Sequence, residues 1–130
     1  MDSIRIGITG ATGHVGVNLV KELCKLNRSV RILIHKSTFN FNNEKISEVK
    51  GSLLDEESLL EFCKNLDVVI HLAAMLGVKK TEDNKLGCIE VNITGTDNVL
   101  AAAVMHGVKK FVFASSSEVY GEPDTNPINE

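Results

Sequence analysis

No run of 18 or more apolar residues occurs in the sequence, so no segment of it is long enough to cross a bilayer as a helix. The first residues, Met1-Asp2-Ser3, lead straight into a strand-like segment without a basic region or a small-residue cleavage site, and a cytoplasmic protein is expected. Cysteine is scarce: Cys24, Cys63 and Cys88 are odd in number, lack metal-type spacing and sit in apolar helical patterns. That favours buried free thiols over a bridge or a zinc site, as in a reducing compartment. No cluster of His, Cys, Asp and Glu has metal-ligand spacing, and no metal is expected. Basic patches are also missing. The 14 Lys and Arg are scattered among 17 Asp and Glu, for a net charge of −3, which argues against a nucleic-acid partner. Repeats, low-complexity tracts and linkers are absent.

What remains is an ordinary globular composition, 43% apolar and 24% charged over 130 residues, enough for one domain with a core of its own. Ile4 to Thr9 runs apolar into Gly10 and reads as a strand buried on both faces. From His14 to Asn27, Val15, Leu19, Leu23 and Leu26 recur at helical spacing opposite Lys21, Glu22 and Lys25. Ser29 to Ile34 is a second strand, Lys36 to Lys45 a polar loop, and Ile46 to Lys50 a weaker third strand. Asp55 is placed to N-cap a helix carrying Leu59, Leu60 and Phe62, and Asp67 to Leu72 is a fourth strand. Asn84 to His106 reads as one long helix stopped by Gly107 in a left-handed C-cap, and Lys110 to Ser115 as the fifth strand. Strands alternating with helices at this spacing predict a Rossmann-type α/β fold. It is a doubly wound parallel sheet in the order 3-2-1-4-5 between two helical layers, α/β/α.

The strongest chemical signal is Thr9-Gly10-Ala11-Thr12-Gly13-His14-Val15-Gly16, glycines three apart between a strand end and a helix start. Gly10 makes the tight turn, Gly13 lets backbone amides approach a pyrophosphate, and Gly16 lets the helix pack closely on the strand. The helix N-terminus adds unpaired N–H donors and the positive end of the dipole. An ordinary strand-to-helix turn is the plainer alternative, but the position after the first strand favours a dinucleotide. The second strand ends Ile34-His35-Lys36-Ser37 without the carboxylate that accepts the ribose hydroxyls of NAD. With Arg31, His35 and Lys36 nearby, the balance leans to NADP(H).

The spacing G-x-x-G-x-x-G resembles that of the short-chain dehydrogenase/reductase family in its extended branch, the sugar-nucleotide epimerases and dehydratases. Three further segments resemble family motifs in the same order: His71-Leu72-Ala73-Ala74, Val91-Asn92-Ile93-Thr94-Gly95-Thr96, and Ser115-Ser116-Ser117-Glu118-Val119-Tyr120-Gly121. The resemblance implies that Gly10, Thr12, Gly13, His14, Val15 and Gly16 wrap the pyrophosphate of NAD or NADP. It implies that His35 and Lys36 face the adenosine ribose, and that Ser52, where the family usually carries Asp, and Leu53 flank the adenine. Leu72, Ala73 and Ala74 would lie along the ribose and nicotinamide, with Asn92 holding backbone there and Ala114 and Ser115 closing the site from the fifth strand. Ser116 would hydrogen-bond the reacting substrate oxygen, and Glu118 stands where dehydratases keep the second residue of an Asp-Glu pair. His71 reads as a satisfied core residue rather than a base.

The resemblance also implies a continuation beyond the fifth strand: a Tyr and a Lys four residues apart, then a substrate lobe. Tyr120 has Asp124 four positions later, so it is not that tyrosine. Residues 1–130 are therefore expected to be a single NAD(P)-binding domain that stops short of the Tyr/Lys pair and is inactive alone. The implied activity is an epimerase or dehydratase acting on a nucleotide sugar. A carbonyl reductase using NADPH and a non-catalytic NAD(P)-binding sensor or interaction module stay open beside it. Pairing of family members through the corresponding helix implies a homodimer across 84–106.

Overall fold

Alternation along the strands divides the sheet into two faces. In β2 (Val30–Ile34), Val30, Ile32 and Ile34 turn to one side and Leu33 to the other. The structure is a computed structural model that describes residues 4–77, 82–122 and 126–127. Met1-Asp2-Ser3 and Asp124 lie outside the described residues.

Five parallel strands run in the order β3-β2-β1-β4-β5, as the sequence predicts. The others are β1 (Ile6–Thr9), β3 (Ile46–Lys50), β4 (Val68–His71) and β5 (Lys110–Phe113). Helix α1 (His14–Lys25) lies on the first face, where Val20 packs with Ile8, Val30, Ile32 and Ile34. Helices α2 (Glu56–Cys63) and α4 (Gly95–Met105) cover the second, through Leu59, Phe62, Cys63, Val99, Ala102 and Ala103 against Leu33 and Val69. Leu59 and Phe62 are fully buried, each worth about 1.5–3 kcal/mol of hydrophobic stabilisation. The sheet grows outward in one direction through β2 and β3 and in the other through β4 and β5, so β1 and β4 are neighbours with Thr9 level with His71. A crevice therefore opens beyond their C-terminal ends.

Several boundaries differ from the sequence reading. The first two strands begin at Ile6 and Val30 rather than Ile4 and Ser29, and the first helix stops at Lys25, with Asn27 left-handed at φ 57°. The fifth strand stops at Phe113, leaving Ala114, Ser115 and Ser116 exposed beyond the ladder. Asp55 is the N-cap of α2, but its side chain makes no capping bond. Ser58 Oγ instead donates to the Asp55 carbonyl at 3.0 Å. The polar loop after β2 hides an anchor, Phe39, buried and edge-on to Phe41. None of the three cysteines is in a disulfide, as expected, but only Cys63 is fully buried, and burial pushes its pKa up to about 11.

The predicted long helix is interrupted. Helix α3 (Lys85–Ile89) passes into a π-helical turn, Glu90–Thr94, and then into α4, after which Gly107 takes the left-handed conformation at φ 65° as expected. The wider turn admits one extra residue and so rotates the face of α3 relative to that of α4. Val99, Ala102 and Ala103 can then face the core while Val91 reaches the crevice.

At the opposite, N-terminal edge of the sheet, one carboxylate gathers three strands. Asp67 accepts from Arg5 N at 3.0 Å, Arg5 Nε at 3.2 Å and Lys109 Nζ at 3.3 Å. These bonds, led by the Arg5 backbone N–H, hold its pKa at about 2 against an ordinary 3.8. A carboxyl whose pKa is lower folded than unfolded stabilises the fold fully above the unfolded value and loses that contribution as pH falls toward the folded one. Denaturant midpoints recorded at intervals from pH 5 to pH 2 should fall for the wild type, and Asp67→Asn should be less stable at pH 5 with a flatter fall. Parallel curves for the two proteins would show that Asp67 carries no such linkage.

Candidate functional site

The crevice beyond β1 and β4 is a cleft of about 620 Å³, within the range of small-molecule sites. Its floor is the glycine turn. Gly10 has φ +72°, and a Cβ there would sit 2.6 Å from Ala73 N and 2.7 Å from the Leu72 carbonyl carbon. Only glycine lets the turn lie against β4 this closely. Gly16 is equally constrained, because a Cβ would strike the Gly10 carbonyl oxygen and come within 2.7 Å of Ala11 Cα. Gly13 is freer, with 3.3 Å to the Gly10 oxygen.

Gly13 is the N-cap of α1, and neither a side-chain cap nor an acidic first-turn residue serves that helix end. The amides of His14, Val15 and Gly16 have no acceptor within the helix. They and the helix dipole make a positive rim suited to an anion. Among the lining residues none is Asp or Glu, whereas His35 and Lys36 line the cleft and are exposed. The donor set thus fits a phosphate-bearing ligand.

Ten of the residues singled out in the sequence line this cleft: Gly10, Thr12, Gly13, His35, Lys36, Ser52, Leu53, Leu72, Ala73 and Ala74. The Ser52 hydroxyl oxygen accepts from Leu54 N at 3.2 Å and keeps its proton for another partner. His14 and Val15 stand exposed at the rim and Gly16 is buried behind it, so none of the three lines the cavity. Asn92 works from behind the wall. Its side-chain oxygen accepts from Met75 N at 2.7 Å and its amide nitrogen donates to the Met75 carbonyl at 3.1 Å, a two-point clasp that fixes the strip after β4.

Ala114, Ser115, Ser116 and Glu118 do not line the cleft. Ser116 Oγ accepts from Glu118 N at 3.3 Å, capping the 3-10 turn Ser117–Tyr120. Arg31 does not reach the cleft either, contrary to its expected part in favouring NADP. It lies on the α2 side of β2 and donates to the carbonyls of Glu61, Phe62 and Lys64 at the C-terminal end of α2. Of the lining residues to which the sequence reading gave no site role, Met75 follows one family-like motif and Val91 opens another, while Gly51 and Leu54 flank the Ser52-Leu53 pair. His71 is buried and bonded on both nitrogens, the core residue expected.

Residues 6–130 match the model of the family described as NAD dependent epimerase/dehydratase. Among curated proteins the chain is similar to a UDP-N-acetyl-alpha-D-glucosaminuronate decarboxylase of Bacillus cytotoxicus. The two are 42% identical over 95% of this chain and 39% of that protein. Among solved structures it is similar to an epimerase of Methanothermobacter thermautotrophicus, with a TM-score of 0.89 and 36% identity over 98% of this chain and 40% of that one. It also resembles a short-chain dehydrogenase/reductase superfamily protein of Agrobacterium tumefaciens with bound NAD. There the TM-score is 0.80 and the identity 34%, over 95% of this chain and 36% of that one. The chain thus spans about two fifths of the length of the proteins it matches.

The glycine geometry predicts a ranking. Gly10→Ala combines a left-handed φ with a backbone collision, and Gly16→Ala a collision alone. Each should cost about 2 kcal/mol or more in urea denaturation. Gly13→Ala, at φ −75° with only one close contact, should cost less than about 1 kcal/mol. Equal losses at positions 10 and 13 would contradict the ranking.

Proposed function

The chain belongs to the NAD dependent epimerase/dehydratase family, and from that premise we propose that it is the NAD(P)-binding portion of an epimerase- or dehydratase-type oxidoreductase acting on a nucleotide sugar. The observation that carries this reading is the uncapped N-terminus of α1 rising from the glycine turn into a cleft without carboxylates. The pyrophosphate lies over the amides of residues 13–16, held by backbone donors and the α1 dipole. Ser52 and Leu53 flank the adenine, and Leu72, Ala73 and Ala74 support the nicotinamide half along the strip that Asn92 clasps. When bound, the dinucleotide supplies the hydride acceptor or donor.

Lys36, with His35 beside it, is the cation of the adenosine end and favours the extra phosphate of NADP. Arg31, tied to α2, adds nothing to that preference. Ser116 presents its remaining hydroxyl proton at the C-terminal edge of the sheet to a substrate oxygen, and Glu118 follows it in the same turn. Residues 1–130 act in the cytoplasm, in keeping with three cysteines that form no disulfide, as one domain of a longer catalytic unit. Two copies pair through the exposed apolar stripe Leu86, Ile89, Ile93, Leu100 and Val104. A second reading, a nucleotide sensor without chemistry, is favoured by one fact. Neither Ser116 nor Glu118 lines the cleft.

Calorimetric titration of the chain with NADP+ and NAD+ tests the proposal. Saturable binding of one nucleotide per chain is expected, NADP+ the tighter. Lys36→Glu should weaken NADP+ about ten- to a hundredfold, the equivalent of one charge-assisted hydrogen bond of about 1.5–3 kcal/mol, and narrow or reverse the preference. Absence of binding for both nucleotides at millimolar concentration would sink the cleft assignment.

A further inference from the structure

His71 ends β4 with 1% of its surface exposed, and both ring nitrogens are engaged. Nδ1 is 2.6 Å from Thr9 Oγ1, and Nε2 is 3.0 Å from Thr96 Oγ1. Which nitrogen bears the proton is decided by the partners. The Thr96 hydroxyl donates to the Asn92 carbonyl at 2.7 Å, so toward His71 it can only accept, and Nε2 carries hydrogen. Thr9 Oγ1 accepts from Ala73 N at 3.3 Å and gives its own proton to Nδ1, which is therefore bare. The relay runs from the Ala73 amide through Thr9, His71 and Thr96 to the Asn92 carbonyl. No buried side-chain N or O atom among the described residues lacks a partner.

A second proton on His71 has no place in this arrangement. Protonated Nδ1 would face Thr9 as a donor, and the Thr9 hydroxyl, fully buried, would lose the acceptor for its own hydrogen. The ring meets Thr9 from β1, Thr96 from α4, and Phe111 and Phe113 from β5 at 6.0 and 5.9 Å between centroids. None of these groups is charged, and burial lowers the His71 pKa from its ordinary 6.5.

The two ends of the relay reach the same strip of backbone. Ala73 hangs from Thr9, and Met75 is clasped by the side chain of Asn92, whose backbone carbonyl accepts from the Thr96 hydroxyl. Both Ala73 and Met75 line the cleft. We propose that His71, neutral and protonated on Nε2, is the positioning residue that joins these tethers and holds the β4 wall of the cleft against a bound dinucleotide. Adding a proton to it releases the wall and weakens binding. The inference rests on the reading of the cleft as a nucleotide site.

Imidazole nitrogen shifts and NADP+ affinity, measured on the chain from pH 8 to pH 5, test it. The shifts should show Nε2–H at pH 8. Affinity should fall at least about fivefold as His71 takes up a proton below about pH 6.5, and by reciprocity NADP+ should lower the pH at which His71 titrates. The fall should persist in His35→Gln, which removes the histidine that lines the cleft. His71→Gln should bind weakly already at pH 8 and lack the acid-side loss. Thr96→Val, which keeps the shape of the side chain, should weaken NADP+ at least about fivefold at pH 8.

A Thr96→Val protein that melts at a lower temperature but binds NADP+ as the wild type does would reduce the relay to structural support and overturn the proposal. So would an Nδ1–H tautomer, a His71 titration indifferent to NADP+, or an acid-side loss that persists in His71→Gln. A wild type that shows the Nε2–H tautomer yet binds no NADP+ at any pH would instead overturn the cleft reading, and this inference with it.

Discussion

The fold turns on the place where the backbone of Gly10 meets that of Leu72 and Ala73 with no room for a Cβ between them. That contact sets how closely the first strand-to-helix turn lies against the end of β4, and so fixes the depth of the crevice between the two halves of the sheet. Thr9, one residue earlier, joins the same two strands through its side chain, to His71 and to Ala73 N. Close backbone approach and side-chain bonding therefore act at one level of the sheet. The parallel pairing of β1 with β4 carries this alignment inward to Ile6 and Val68.

The two ends of the sheet treat charge in opposite ways. At the N-terminal edge, ionised groups are matched within the protein: Asp67 with Arg5 and Lys109, and Arg31 with the last carbonyls of α2. Those bonds tie β1, β4 and β5 together and close a helix end whose carbonyls have no partners of their own. At the C-terminal edge, the cleft has donors and cations but no carboxylate. An Asp or Glu there would satisfy the α1 amides internally and repel a phosphate. Their absence keeps the positive field directed at whatever enters.

The parts of this architecture that were legible in the sequence are those with a strong local code. Apolar runs alternating with amphipathic helices dictated the strand order, and three glycines at fixed offsets marked the cleft floor. Gly107 was readable as a helix stop because only a left-handed residue ends a helix that way. Three features were not legible. The π turn at Glu90–Thr94 leaves the helical periodicity almost intact, since one extra residue shifts the phase without breaking the apolar pattern. The role of Arg31 depended on which face of β2 it occupies, and a strand with apolar residues on both faces does not announce that. The His71 relay needed three residues separated by 62 and 25 positions to meet, a tertiary fact with no trace in local spacing.

Leaving α1 uncapped has an energetic consequence that bears on function. A Ser, Asp or Asn at position 13 would bond one of the orphan amides, a gain over Gly of about a few tenths of a kcal/mol. Gly13 forgoes that bond. The domain with these amides unoccupied is then less stable than its fold allows, by an amount concentrated at the glycine turn. An anion that occupies those amides supplies the missing bonds. Its binding energy thus appears as added stability of the turn, of α1 and, through the Gly10–Ala73 contact, of the β4 wall. An anion bound there would complete the folding of the site, and the glycines serve both ends: they leave the amides open and pack the turn closely enough to transmit an effect to the sheet.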